Sequence, residues 1–343
     1  MCLTRNQINT LSNKYNIPQS ELFSLLINLE GVNHHSENNR IRFELCNTGI
    51  NTLMFSVQNN NSSILNINNH QLVFDNTIIG NLKGVCEDSC EVFYTRNNGK
   101  VLCFNPYSRS SCNGCKFCYN PTSSDDKRII SDKEIYNELL KWAKKNKHND
   151  LSHIEQIAVV TGCFGNDKLI ADYLLKLRSS ASKLSFNGEI LFFGTPHDGK
   201  TIHLLNSIKP FNLCFTIECF ENRNNLIRND KLVELEKIKD LMLLSKSMGI
   251  HTNFSYIVGL DSLSVIKKQF QTMISFINRF PIISIYQTDS KRKKVRNKEA
   301  FEIEYYLEVR KIIEKIFWNT ELRPTKWSNH RSIWREYFGN NKL

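Results

Sequence analysis

The chain has 343 residues, of which 41% are hydrophobic and 23% charged, the balance of an ordinary globular protein. No stretch approaches the roughly 18 to 20 apolar residues of a membrane helix, and the N-terminus has no secretory signal pattern, so we expect a cytoplasmic protein. The 11 cysteines are an odd number, which fits a disulfide framework badly. The formal net charge of +11 comes from dispersed Lys and Arg, with one dense run at 290–296 that is typical of a solvated loop or helix face.

The first hundred residues predict a small α+β unit over 1–97. Residues 4–30 have helical spacing, with an apolar stripe formed by Leu22, Leu25, Leu26 and Leu29. Short alternating segments follow, separated by Asn-rich turns, at 42–45, 52–57 and 71–74.

From residue 101 the pattern becomes strand then helix, repeatedly. Short apolar strands are predicted at 101–104, 157–160, 190–193, 213–217, 252–258 and 282–287. Amphipathic helices are predicted between them at 132–146, 167–177, 201–208, 231–248 and 264–279. This alternation predicts a parallel sheet with helices outside, as a partial (β/α)6-type barrel over 98–290. Functional residues are then expected where the strands end, and 291–343 is expected to be a helical extension that closes the barrel.

Three cysteines follow the first strand of this barrel within seven residues, at Cys112, Cys115 and Cys118. Such a loop can wrap its thiolates around one metal centre. Zinc would need four protein ligands in a structural site, and Cys103 is a poor but possible fourth. A [4Fe–4S] cluster held by three thiolates would leave one iron open to bind a small molecule.

This loop resembles the signature of radical S-adenosylmethionine enzymes, which is C-x3-C-x-aromatic-C after the first barrel strand. Cys115, Phe117 and Cys118 match its second half, and Cys112 stands three residues before Cys115 rather than four, giving a variant C-x2-C-x2-C motif. The resemblance is nearest to the biotin-synthase-like branch. It implies a [4Fe–4S] cluster on the three cysteines, and S-adenosylmethionine beside Phe117.

The same resemblance places further cofactor contacts at strand ends. Thr161 and Gly162, after the second strand, stand where family members carry a Gly-rich turn that binds the methionine moiety, although the usual Glu is missing. Gly259 ends the fifth strand, in the segment that resembles the one lying along the adenine. A tight strand–helix turn, or any barrel strand, would account for these residues equally.

The fourth strand resembles the family pattern in which a strand-end carboxylate contacts the cofactor and a following Arg pairs with its carboxylate. Cys214, Thr216 and Glu218 share one parity and should point the same way. Glu218 and Arg228 are therefore the expected cofactor residues, with Arg223 as the alternative to Arg228. An ordinary surface salt bridge is the other interpretation.

The resemblance implies reductive cleavage of S-adenosylmethionine to a 5′-deoxyadenosyl radical that abstracts hydrogen from a small-molecule substrate, as in cofactor or natural-product biosynthesis. Gln287 and Arg331 are candidate substrate residues, although capping and packing explain them as well. The expected partner is a reductant such as flavodoxin or ferredoxin, with no membrane; nucleic acid is not favoured. The alternatives are a radical enzyme that modifies RNA, motivated by the charge, and a zinc-stabilised nucleic-acid-binding module.

Overall fold

The structure is a computed structural model of the chain. It describes residues 3–34, 40–45, 54–86, 93–97, 99–106, 115–118, 129–160, 164, 166–229, 231–287, 295–325, 331–339 and 341–343. Among these residues, no helix combines the length and the apolar character needed to cross a membrane.

Two helices open the chain, as the sequence predicts. Helix α1 (Arg5–Tyr15) begins at a capping box in which the Thr4 hydroxyl accepts from the Gln7 N–H and the Gln7 side chain accepts from the Thr4 N–H. Helix α2 (Gln19–Glu30) follows, and every leucine of its predicted apolar stripe is buried. The stripe forms because residues three and four apart share one helix face.

An antiparallel sheet of five strands follows, in the order β2-β1-β5-β4-β3. Its strands are β1 (Arg40–Leu45), β2 (Met54–Gln58), β3 (Leu65–Asn68), β4 (Gln71–Phe74) and β5 (Thr77–Cys86). Three of them lie where alternation predicts strands. The sequence pattern missed β3 and β5, whose segments contain Asn and Gly residues that weaken the strand signal.

The second sheet has seven strands in the order β12-β11-β10-β9-β8-β7-β6. Its strands are β6 (Phe93–Arg96), β7 (Val101–Phe104), β8 (Gln156–Val159), β9 (Glu189–Phe193), β10 (Phe211–Glu218), β11 (His251–Val258) and β12 (Ile282–Ile285). Strands β7 to β12 are parallel and curl into a half-barrel, which confirms the predicted partial barrel. Strand β6 lies before residue 98 and pairs antiparallel with β7; the division into three domains stays a prediction.

Helices connect the parallel strands, as a right-handed crossover requires. They are α3 (Asp132–Lys145), α4 (Asp167–Ser182), α5 (Gly199–Leu205), α6 (Arg223–Leu226), α7 (Leu235–Ser247) and α8 (Leu263–Met273), and α9 (Ile303–Phe317) follows the last strand. Five of them lie where the amphipathic pattern predicts helices, with ends that differ by up to six residues.

The strands of the half-barrel have two different faces. Their outward side chains join the large core that the helices cover. Their inward side chains form a separate cluster of Cys103, Ala158, Leu191, Cys214 and Ile282. Because both faces are covered, the strands are apolar throughout, and this explains why they appear in the sequence as continuous hydrophobic runs.

The C-terminal segment lies along the free edge of β12. The Ile285 N–H donates to the Arg331 carbonyl at 2.9 Å, and Ser284 forms an antiparallel bridge with Ser332. A short hairpin of β13 (Tyr337–Phe338) and β14 (Asn341–Lys342) follows. The segment therefore satisfies backbone groups that would otherwise be exposed at the edge of the sheet.

The carboxylate of Glu21, on α2, holds this segment. Its oxygens accept backbone N–H groups of Arg335 at 3.1 Å, Glu336 at 2.5 Å and Tyr337 at 3.0 Å. Arg310 on α9 donates to the same carboxylate at 2.6 Å. The Glu21 side chain is 0% exposed and the Arg310 side chain is 4% exposed. A buried charge is tolerated where it is paired and fully hydrogen-bonded.

Arg310 extends this network to a second carboxylate. It also donates to Glu314 at 2.8 Å and to the Tyr337 carbonyl at 2.5 Å, and the Trp334 indole N–H donates to Glu314 at 2.8 Å. Burial alone would lower the pKa of Arg310, but Glu21 and Glu314 outweigh it and raise the pKa. The two carboxylates therefore favour the charged form of this buried arginine.

Replacing Glu21 by Gln should lower the free energy of unfolding by about 3–5 kcal/mol, because Arg310 is then left as a buried charge without its partner. Chemical denaturation with urea measures the loss. The matched control is Glu236→Gln, whose side chain is 82% exposed on α7 and should change stability by about 0.5 kcal/mol or less. Equal losses in the two variants would contradict the role of Glu21.

Candidate functional site

Two of the three clustered cysteines lie in a hydrogen-bonded turn. The Cys118 N–H donates to the Cys115 carbonyl at 3.0 Å, and the Lys116 N–H donates to the Leu226 carbonyl at 2.9 Å. Cys115 is buried and Cys118 is exposed. Since Leu226 follows β10, the turn is fixed to the carboxyl end of the half-barrel. Cys112 lies outside the described residues.

Phe117 anchors this turn on the strand ends. It is buried in a small cluster, separate from the inner-face cluster, whose other buried members are Cys115, Cys219, Leu226, Ile227, Leu260 and Tyr286. Apart from Cys115, these residues follow β10, β11 and β12. The sequence places Phe117 after the first parallel strand, and the fold brings it to the ends of the last three. Cys103 belongs to the inner-face cluster instead.

The end of β10 carries Glu218 in an unusual backbone conformation. Thr216 pairs with Ser255 and Glu218 pairs with Tyr256, so one extra residue is inserted as a bulge. Glu218 has φ +67°, a value that non-glycine residues rarely adopt and that is concentrated at functional sites. Parity predicts that the side chains of Cys214, Thr216 and Glu218 point to the same face. The bulge lies between Thr216 and Glu218 and interrupts this alternation. A Lys231 Nζ lies 3.6 Å from the Glu218 carboxylate.

The two candidate arginines differ in their surroundings. Arg223 is buried and its guanidinium donates to backbone carbonyls of Ile217, of Cys219 at 3.0 Å and of Val233 at 3.1 Å. Burial lowers the pKa of Arg223. Its donors hold the loop after β10 together. Arg228, in the same loop, is half-buried, and the choice between the two arginines stays a prediction.

Asp261 holds the loops after β10 and β11 together, and sequence reasoning missed it. Its carboxylate accepts the backbone N–H of Phe220 at 2.8 Å and of Glu221 at 2.9 Å, and the Tyr256 hydroxyl at 2.9 Å. Burial raises the pKa of Asp261, against the effect of these donors. The available signal was its position just beyond a parallel strand, where polar residues meet at one rim.

Gly259, at the end of β11, has a structural reason to be glycine. Its φ is +112°, and a Cβ there would lie 3.1 Å from the Tyr306 hydroxyl and 3.2 Å from the Tyr286 Cβ. Its carbonyl accepts the Asn297 N–H at 2.8 Å. The close packing requires a residue without a side chain, and a contact with the cofactor stays a prediction.

The remaining predicted residues are spread more widely. Gln287 donates to the Asn28 side chain on α2 at 3.3 Å, so it contacts the N-terminal unit. Arg331 is half-buried and its carbonyl pairs with β12. Thr161 and Gly162 lie outside the described residues. The structure therefore brings Cys115, Phe117, Glu218, Arg228 and Gly259 to one rim; their roles stay predictions.

An Asp–His pair at the same rim was also missed by sequence reasoning. Asp167 begins α4 and lies 2.8 Å from His197 Nδ1, while it accepts the His197 N–H at 2.7 Å and the Asp198 N–H at 3.1 Å. The Thr201 hydroxyl donates to it at 3.0 Å. These four contacts fix the loop after β9 against the loop after β8.

Two thiols at β10, Cys214 on the strand and Cys219 just after it, have raised pKa values. Burial raises the pKa of Cys214 and of Cys219, and the nearby Asp261 carboxylate raises that of Cys219 further. Protonated thiols are poor metal ligands. Within the described part of the chain, no three His, Cys, Asp or Glu side chains are grouped to hold a metal ion.

Comparisons with known proteins give weak matches. No protein-family model and no curated protein matches the sequence. The chain is similar to SuiB of Streptococcus suis bound to S-adenosylmethionine, with 15% identity, 63% of this chain and 46% of that chain covered, and a TM-score of 0.44. It is similar to HemN of Escherichia coli, a coproporphyrinogen III oxidase described as a radical SAM enzyme, with 13% identity, 63% and 52% coverage, and a TM-score of 0.45.

The chain thus spans about half the length of these solved structures. At such identities and TM-scores the likenesses decide neither activity nor substrate. The proposals below rest on this chain's own residues.

Replacing Asp261 by Asn should lower the free energy of unfolding by about 2 kcal/mol, because an amide nitrogen would face donors that now share a carboxylate. Thermal or urea denaturation measures the change. Asp240→Asn, on the exposed side of α7, is the control and should change stability by less than about 0.5 kcal/mol. A wild-type-like Asp261→Asn protein would mean that the rim loops do not depend on this carboxylate.

Proposed function

We propose that the chain is a radical S-adenosylmethionine enzyme with a [4Fe–4S] cluster bound by Cys112, Cys115 and Cys118. The observation that carries the proposal is the position of the Cys115–Cys118 turn. It is hydrogen-bonded to the carboxyl end of a parallel half-barrel, at Leu226, and anchored there by Phe117. In parallel barrels, ligands and reacting groups lie at this end.

The described residues fit a thiolate-bound metal centre. A single i to i+3 backbone hydrogen bond joins Cys115 and Cys118. Two cysteines three positions apart have the spacing that cluster-binding loops use. Burial raises the pKa of Cys214 and Cys219, which makes these two thiols poorer ligands than thiols in a loop. Three loop thiolates therefore form the donor set, and three are one fewer than the four that such a cluster takes from protein alone.

When bound, the cluster and S-adenosylmethionine would supply one-electron cleavage of the sulfonium, giving methionine and a 5′-deoxyadenosyl radical that abstracts hydrogen from substrate. The chain's own part is binding and orientation. Phe117 packs with Leu260 and Tyr286 in a buried apolar cluster at the rim, which orients the cysteine turn towards the strand ends. The rim loops exclude water from the reacting atoms.

The charged residues at the end of β10 suit the amino-acid moiety of the cofactor. That moiety carries an ammonium and a carboxylate. Glu218 provides an anion held in a fixed, strained backbone position, and Arg228 and Lys231 provide cations in the same loop. A planar guanidinium pairs with a carboxylate through two parallel hydrogen bonds.

A small-molecule substrate inside the barrel and an electron donor such as flavodoxin or ferredoxin complete the proposal. The dispersed positive charge of the chain supports an RNA substrate less well, since the +11 charge is not gathered on one described element. A zinc site remains the alternative for the cysteine turn, because pairs of cysteines at this spacing also bind zinc.

The cysteine variants test the proposal. The protein is purified without oxygen, reconstituted with iron and sulfide, and analysed for metal content and for 5′-deoxyadenosine after addition of S-adenosylmethionine and reductant. Wild type should bind about four irons and form 5′-deoxyadenosine; Cys115→Ser and Cys118→Ser should lose both. Cys86→Ser, in the N-terminal sheet, is the matched control and should keep both. Zinc without iron in the wild-type protein would contradict the proposal.

Replacing Glu218 by Gln should weaken cofactor binding about tenfold, because a hydrogen bond between two charged groups is lost. Calorimetry with S-adenosylhomocysteine measures the affinity, and iron content shows whether the site is still assembled. The exposed variant Glu236→Gln should bind as wild type does. Equal affinities of Glu218→Gln and wild type would exclude Glu218 from the cofactor site.

A further inference from the structure

In the described part of the chain, two carboxylate–histidine pairs lie at opposite ends of the half-barrel. Glu189 pairs with His251 at the amino end, and Asp167 pairs with His197 at the carboxyl rim. His251 is enclosed, because the Arg279 guanidinium lies 3.1 Å from its Nδ1 and 3.3 Å from its Nε2. Reacting groups of parallel barrels lie at the carboxyl end, so we expect chemistry at the pair of Asp167 and His197.

Asp167 fixes the position of the proton on the His197 ring. Its Oδ1 lies 2.8 Å from His197 Nδ1, and an ionised carboxylate only accepts hydrogen bonds. The proton of this contact therefore lies on Nδ1. In the neutral ring the other nitrogen, Nε2, then has no proton, so its lone pair can accept one.

The same carboxylate also holds the backbone of His197. Asp167 Oδ2 accepts the His197 N–H at 2.7 Å and the Asp198 N–H at 3.1 Å. It lies 3.0 Å from the Thr201 hydroxyl as well. Because His197 bonds to Asp167 through both its backbone and its ring, the orientation of the imidazole is fixed. A reacting group that is already oriented needs no reorganisation when a substrate binds.

The loop that carries His197 is bonded to β10. Thr195 and Pro196 are buried. The Thr195 hydroxyl accepts the Thr216 N–H at 3.0 Å, and the hydroxyls of the two threonines are 3.0 Å apart. Since β10 ends two residues later at Glu218, this loop is attached to the strand that ends at the proposed cofactor site.

The ring of His197 is accessible, whereas its partner is mostly buried. The His197 side chain is 44% exposed and the Asp167 side chain is 15% exposed. Since Nδ1 faces Asp167, the exposed edge of the ring is the one that carries Nε2. The other charged residues where α4 and α5 begin are Lys168, Asp198 and Lys200. A molecule at the rim can therefore reach Nε2 without any change in the packing of the barrel.

We propose that His197 is a catalytic proton acceptor at the rim, with Nε2 as its reacting atom and Asp167 as the residue that positions it. Its substrate has an O–H, N–H or acidic C–H group next to the bond that reacts. Nε2 takes the proton, the substrate keeps the electron pair of the broken bond, and the Asp167 carboxylate balances the charge of the imidazolium. The inference goes beyond the proposed radical function, because this step needs neither iron nor S-adenosylmethionine.

A nitrobenzisoxazole is a probe for such a proton acceptor. A base takes its ring C–H proton, the electron pair of that bond forms a nitrile as the N–O bond breaks, and a coloured nitrophenolate is released. The full-length protein should release it about tenfold or more faster than imidazole at the same concentration, because a positioned base accelerates proton transfer. The rate should rise with pH and then level off, since only the neutral ring accepts a proton.

Two variants separate proton transfer from the fixing of the loops. In His197→Asn, the amide N–H donates to Asp167 in place of Nδ1–H. The urea midpoint of unfolding should therefore stay near that of wild type, while the rate should fall about tenfold or more. In Asp167→Asn, the amide oxygen stays with the two backbone N–H groups and its nitrogen faces Nδ1. The ring proton then moves to Nε2, so this variant should lose a similar part of the rate.

The matched control is His203→Asn, since His203 is exposed on the neighbouring helix α5. This variant should release nitrophenolate at the wild-type rate. Any one of four results would overturn the proposal: a wild-type rate equal to that of imidazole, a wild-type rate in His197→Asn, a wild-type rate in Asp167→Asn, or an equal loss in His203→Asn.

The outcome is separate from that of the cluster experiment. A protein that binds zinc instead of iron but transfers the proton through His197 would lose its proposed radical function and keep this inference. Conversely, a protein that forms 5′-deoxyadenosine but releases nitrophenolate no faster than imidazole does would keep its proposed function and lose the role of His197.

Discussion

The buried carboxylate of Glu21 holds the open edge of the half-barrel in place. A half-barrel does not close on itself, so the outer edge of β12 has backbone groups that need partners. The segment after Arg331 supplies them, and Glu21 fixes that segment through three consecutive backbone N–H groups and through Arg310. Helix α2, near the start of the chain, thereby fixes the C-terminal segment that covers the edge of β12.

This arrangement links the N-terminal helices to the barrel energetically. Two charges buried together cost much of their hydration, and the cost is offset only because every oxygen of Glu21 and most donors of Arg310 are bonded. Such a network has one satisfactory geometry, so it specifies where the tail lies as well as stabilising it. The contact of Gln287 with Asn28 adds a second link between α2 and the carboxyl end of β12.

Local patterns predicted the barrel well because each of its strands is covered on both faces. Strand β7 begins and ends where the sequence pattern predicts, at Val101 and Phe104. Strand β5 was missed although it forms a hairpin with β4, since its glycines and asparagine weaken the strand pattern. Residue spacing singles out the three cysteines as one loop, and their role as metal ligands stays a prediction. Residue spacing does not predict the Glu21 network, because its partners are more than 280 residues away and a lone Glu on an apolar helix gives no local sign of them.

The rim and the interior of the half-barrel use charge in different ways. At the rim, Asp261 accepts backbone N–H groups of the strand-end loops and Arg223 donates to backbone carbonyls of the same loops. Both charges therefore stabilise those loops. Glu218 and Lys231, 3.6 Å apart, place an ion pair at the end of β10 beside these loops. Below the rim, the described parallel strands have charged or imidazole side chains at their amino ends alone, at Glu189 and His251. Charge on the half-barrel strands therefore lies at their two ends, where Glu189 is 2.5 Å from His251 Nδ1 and Glu218 is 3.6 Å from Lys231 Nζ.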